Sequence, residues 1–141
     1  MKWKLSLAAE RLRREVDTLW PDRDKKSDGA LGDVAHSARV SDHNPDANGW
    51  VRAIDIDEDL FGRDGSDPKI ANDLAETIVL IAKKDPRIKY VIFEGQIWSK
   101  ISKWLPRKYD GINAHMHHIH VSFNEVGDTD DKPFGLKGHF K

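Results

Sequence analysis

The first regular pattern along the chain is apolar. Leu5, Ala8, Leu12, Val16 and Leu19 recur at intervals of three and four, which predicts one face of an amphipathic helix ending near Trp20-Pro21. A polar, glycine-containing stretch from Asp22 to Asn48 follows and predicts a long loop. Loops of that length in compact domains tend to be either functional or weakly ordered. Val51–Asp57 alternates like a half-buried strand, with Ala53, Asp55 and Asp57 on one face and Ile54 and Ile56 on the other. Asp67-Pro68 is a helix start, an acidic N-cap followed by proline at the first helical position. Ile70, Leu74, Ile78 and Ile81 supply that helix's buried stripe, and Asp85-Pro86 ends it. Lys89–Phe93 reads as a strand with Gln96–Ser99 as a short partner across Glu94-Gly95, and His118–Phe123 as another. The order helix, strand, helix, strand, strand predicts an α+β domain with a small, mainly antiparallel sheet flanked by two main helices. From Glu125 onward the chain reads as an irregular tail whose Phe134, Leu136 and Phe140 dock back on the body.

Composition narrows the chemistry. The length, 141 residues, suits one domain spanning 1–141. Lys plus Arg (23) nearly cancels Asp plus Glu (24), so no overall positive field exists to hold nucleic acid or an anionic membrane. With no cysteine, a disulfide scaffold, a thiolate zinc finger and a cysteine nucleophile are excluded. A transition-metal site would have to use imidazole and carboxylate, the donors of catalytic zinc. The N-terminal run is broken by Glu10 and Arg11 too early for a secretion signal. Synthesis in the cytoplasm as a monomer without a leader is expected.

Seven histidines are present, and four fall between His115 and His120. Strand alternation sends His118, His120 and Ser122 to one face and Ile119, Val121 and Phe123 to the core. One histidine on the outer face would be an ordinary polar residue; two at i and i+2 point to metal or proton chemistry. Ser41–Asp57 supplies partners: Asp55 or Asp57 on a strand face, and His43 in the loop before it. Two imidazoles and a carboxylate make a standard catalytic zinc shell. His36 and His139 fall outside these clusters and read as structural or solvent-exposed. Trp98 and Trp104 are candidates for lining a peptide cleft, with core packing the commoner role.

Ser41-Asp42-His43 followed by Ala53-Ile54-Asp55 resembles the Ser-x-His and Ala-x-Asp signature of the zinc D-Ala-D-Ala carboxypeptidase and L-alanyl-D-glutamate endopeptidase family. His118-Ile119-His120 resembles that family's His-x-His. Ser27-Asp28-Gly29, Gly32-Asp33, His36, Tyr90-Val91-Ile92, Ile97-Trp98-Ser99, Gly111, Asn113 and His115 extend the likeness to peptidase domains of actinobacteriophage-type endolysins, over residues 15 to 123. The resemblance implies a zinc ion held by His43, Asp55 and His120 on the open face of the sheet, with Asp57 as the alternative to Asp55. The gap from His43 to Asp55 is twelve residues, longer than the seven of many members. It also implies His118 as the group that polarises water or stabilises the oxyanion, and His115 as proton shuttle. His117 stands where many members carry an acidic residue. Arg23 or Arg39 corresponds to the family's substrate-binding arginine.

Imidazole, with an ordinary pKa of about 6.5, suits proton transfer near neutral pH. The implied activity is hydrolysis of amide bonds in peptidoglycan stem peptides or cross-links, reached after release through a pore-forming partner and leading to cytolysis. Two rivals exist: a non-catalytic zinc-binding recognition module on the same fold, and a His-Asn-His nuclease prompted by Asp42-His43-Asn44. The latter lacks its later Asn and His at suitable spacing.

Overall fold

A computed structural model describes residues 3–23, 44–62, 68–109 and 118–140. The chain runs β1 (Lys4–Leu5), α1 (Leu7–Leu19), β2 (Trp50–Val51), β3 (Ala53–Asp57), α2 (Pro68–Ala82), β4 (Ile88–Phe93), β5 (Gln96–Ser99), β6 (Arg107–Lys108) and β7 (His118–Phe123). Five strands form one sheet in the order β3-β7-β4-β5-β6, each neighbouring pair antiparallel; β1 and β2 form a separate parallel pair. The α+β class and the mainly antiparallel sheet, with two α-helices among the described residues, are therefore as the sequence predicts. No helix among the described residues is long and apolar enough to cross a membrane.

Alternation explains the layering. Ile54, Ile56, Val91, Phe93, Trp98, Ile119, Val121 and Phe123 share a single core with Ala8, Leu12 and Val16 of α1 and Leu74 and Ile78 of α2. Phe93, Phe123, Leu12 and Leu74 are among its largest fully buried side chains, each worth about 1.5–3 kcal/mol relative to exposure. Both helices thus cover one face of the sheet. The other face carries Ala53, Asp55 and Asp57, paired across β3–β7 with Ser122, His120 and His118.

Leu5 departs from the expected helix. Its period matches α1, but Lys4 N donates to Gly49 O and Ser6 N to Val51 O, both at 2.9 Å, and these bonds hold the segment extended as β1. Ser6 caps no helical N–H; its hydroxyl donates instead to Gly127 O at 3.2 Å. The Val51–Asp57 strand is also split, because Arg52 lies between β2 and β3. The Arg52 guanidinium pairs with Asp46 and Asp128, both at 2.7 Å.

The tail docks as expected. Glu15 on α1 accepts the backbone N–H groups of Phe134 (2.8 Å) and Leu136 (3.0 Å). Phe134 and Leu136 are buried, and Phe140 meets Trp20 edge-on at 5.1 Å. Arg87 fixes the same region: its guanidinium pairs with Asp85 at 2.6 Å, donates to Lys132 O at 2.6 Å and lies 3.9 Å over the Phe134 ring. The Asp85 carboxyl sits below its usual range. Burial pushes it up, but the Arg87 hydrogen bonds outweigh that.

Candidate metal centre

The centre is built on the two adjacent strands β3 and β7. Their register places Asp55 directly opposite His120 and Asp57 opposite His118. Directly opposed residues have Cβ atoms about 4.5–5.5 Å apart, so carboxylate and imidazole meet without distortion. His120 Nδ1 lies 3.1 Å from Asp55 Oδ1, and His118 Nε2 lies 3.6 Å from that same oxygen. One carboxylate oxygen therefore lies within 3.6 Å of an imidazole nitrogen from each histidine.

His120 is held from every direction that the strands supply. Its Nε2 sits 2.7 Å from Ser122 Oγ, and the Tyr90 ring stacks on it at 5.5 Å and 15°. Tyr90 reaches that place because β4 pairs with β7 on the side away from β3, with Tyr90 opposite Ser122 and Ile92 opposite His120. His120 is 4% exposed and Ser122 0%, whereas the His118 side chain keeps 16%. The face expected to be open is thus nearly sealed at His120, and His118 is the imidazole that solvent reaches.

Two proton arrangements satisfy His120. In one, Nδ1–H donates to Asp55 and Nε2 accepts from the Ser122 hydroxyl. In the other, Nε2–H donates to Ser122, and the Nδ1 lone pair faces the carboxylate. The second arrangement sets two acceptors 3.1 Å apart and is stable only with a cation or proton shared between them. The first has the connectivity of a Ser-His-Asp triad. Ser122 is fully buried, however, so a substrate carbonyl has no route to its hydroxyl. Its position suits orienting the ring.

Asp57 has a different role. Its Oδ1 accepts the backbone N–H of Asp59 at 2.9 Å, and Asp59 Oδ1 accepts that of Gly62. This chain of Asx-type turns shapes the exit from β3. Gly62 has φ +67° and packs so close to the Asp22 carbonyl that no Cβ fits there. Arg23, beside that contact, has a fully buried side chain whose Nε donates to Asp17 on α1 at 2.7 Å. That edge of the guanidinium ties the helix end down.

The structure therefore brings together Asp55, His118 and His120 of the residues singled out from sequence. His43, Arg39, His115 and His117 lie outside the described residues, as does His36; His139 is exposed. Among the described residues, no three His, Asp or Glu side chains are grouped so as to hold a metal ion by themselves. Sequence reasoning missed Tyr90 as a partner of His120. Alternation with Val91 and Phe93 in the core would have placed Tyr90 on the histidine face, but only the strand order puts β4 beside β7. Comparison of the chain with family models, with curated proteins and with solved structures gives no match in any of the three.

Proposed function

We propose that this chain is a zinc-dependent peptidase that hydrolyses amide bonds in bacterial peptidoglycan. The observation that carries this reading is the carboxylate of Asp55 set 3.1 Å from His120 Nδ1, with His118 Nε2 at 3.6 Å. The donor set fits zinc: two donors about 2.0–2.1 Å from a tetrahedral ion lie about 3.3 Å from each other, close to the separation found here. Asp55 and His120 would hold the ion from the strands, and His43, which the Ser41-Asp42-His43 motif supplies, would be the third ligand. When bound, zinc supplies Lewis-acid polarisation of the scissile carbonyl and a more acidic water.

The protein's own groups divide the remaining work. With an ion at Nδ1, Ser122 would accept the Nε2–H of His120 and so fix which ring nitrogen faces Asp55, the orienting role that outer partners play around metal-ligating histidines. Tyr90 blocks rotation of the same ring by stacking on it. His118, beside Asp55 and partly solvent-exposed, accepts a proton from the attacking water and returns it to the leaving amine. Asp57 favours Asp55 as the ligand, because its own Oδ1 is committed to the turn after β3.

The test is incubation of purified peptidoglycan with the zinc-loaded protein, reading new amine termini and product masses. Wild type should release them. His118→Ala should retain zinc yet lose about 10²–10⁴ in turnover, the range for a general acid–base group. Wild type that releases no more amine than His120→Ala sinks the proposal. Turnover intact in His118→Ala removes that residue's role.

A further inference from the structure

A concave feature lies where β4 begins and β5 ends. It is a groove of about 450 Å³ between the turn after α2 and the turn after β5. Lys83, Lys84, Lys89 and Lys100 line it, and all four are exposed. The single acid on its wall, Asp85, is paired with Arg87 at 2.6 Å. In a chain whose charges otherwise cancel, this is a local excess of positive charge. Lys83 and Lys84 have a simpler structural reason, since cations complement a helix C-terminus. Lys89 Nζ lies over the Tyr90 ring, 5.6 Å from its centroid, and Lys100 follows no α-helix.

The groove is also shaped. Its far wall is the turn 99–105, where Lys103 (φ 56°) and Trp104 (φ 64°) both adopt left-handed backbone. Two such non-glycine residues in succession cost energy and persist only when surrounding bonds over-determine them. Here Trp104 N donates to Ser99 O (2.8 Å), and the Ser102 hydroxyl lies within hydrogen-bond distance of both Ser99 O (3.1 Å) and Leu105 O (2.9 Å). The result holds the Trp104 indole at the groove, beside Ile101. At its base, the Ser99 hydroxyl oxygen is buried with no hydrogen-bond partner, and a buried polar group left unpaired costs about 1–3 kcal/mol.

Tyr90 joins this groove to the candidate centre: it lines the groove, pairs across the sheet with Ser99, and stacks on His120. Strands lie about 4.8 Å apart, so Ser99 on β5 is about 10 Å from β7, a span of about three extended residues.

We propose that this groove binds a carboxylate-bearing segment of the peptide whose amide bond is cut next door, with lysine ammonium groups meeting the carboxylate and Trp104 and Tyr90 packing on the peptide. This rests on the peptidase reading for the identity of the ligand. Planar and apolar walls beside the cations favour a peptide over a bare phosphate polymer, which would need charge alone.

The experiment is co-sedimentation of the full chain with purified peptidoglycan sacculi stripped of accessory polymers, in the presence of chelator so that nothing is digested. The wild type is compared with K84Q/K89Q/K100Q, whose melting temperature should match it. Exposed charge pairs contribute a few-fold each, so the triple variant should bind about tenfold more weakly. Amidating the sacculus carboxyls should produce a similar loss, and combining the two should add little. Equal binding by variant and wild type overturns the proposal. So does a difference seen only on sacculi that retain phosphate polymer, which would assign the groove to that polymer. Amine release with unchanged binding removes the groove alone. Carboxylate-dependent binding without amine release removes the peptidase and leaves the groove.

Discussion

From residue 119 to 123 the two faces of β7 are buried almost equally yet built from opposite materials. Ile119, Val121 and Phe123 sit at 0–1% exposure against the helices, while Ser122 and His120 on the other side sit at 0% and 4%. Burial alone therefore does not separate scaffold from site. What differs is the obligation that burial imposes. The apolar side needs only volume filled at high density. The polar side needs each donor and acceptor matched, and it achieves this through Asp55, Ser122 and the Tyr90 stack. Stability alone does not call for a face that meets such obligations, because an apolar replacement of similar shape is often neutral or stabilising.

The largest expected effect tests the scaffold side. Phe123→Ala should destabilise the protein by about 3–5 kcal/mol, read as a lower urea midpoint. Zinc content per folded molecule should be unchanged, and a loss of zinc in the still-folded fraction would show that the two faces are not separable. Next comes Ser122→Ala. Its stability cost should be about 1 kcal/mol. If Ser122 orients His120, zinc affinity or turnover falls by about 10- to 100-fold; turnover abolished with zinc retained would identify a nucleophile and reverse the assignment made here.

The smallest effect lies away from both faces. The Asp46 carboxyl is held below its ordinary value of 3.8, first by the backbone N–H of Trp50 and further by Asn48 and Arg52, against a desolvation penalty. A carboxyl depressed in the folded state contributes stability above pH 3.8, and that contribution is lost as pH falls through the folded value. Asp46→Asn should therefore flatten the stability curve below about pH 4 and leave zinc binding at neutral pH alone.

Much of the fold could be read in advance because its signals are local. His118–Phe123 alternates cleanly, α2 begins at a proline, and Glu94-Gly95 marks a two-residue turn. Leu5 departs from its periodicity because a helical period and strand hydrogen bonds compete there, and the bonding partners are residues 49 and 51, far along the chain. The site was legible as a residue set but not as an arrangement. Strand parity put Asp55, His118 and His120 on outward faces. That Asp55 opposes His120, and that Tyr90 approaches from the other side, depends on strand order, which no local pattern encodes.

The hairpin β4–β5 turns through Glu94 and Gly95, both at positive φ (49° and 75°), the geometry of a tight two-residue turn. Such a hairpin closes in about 1–10 μs, whereas Asp55 and His120 are separated by 65 residues and must close a far longer loop. Assembly should therefore be ordered in time: hairpin first, β7 added along β4, β3 captured last. On a ribosome, the carboxylate would wait without its imidazole until residue 120 had been synthesised and had emerged. The Asp55–His120 pair would then be among the last features that a growing chain acquires.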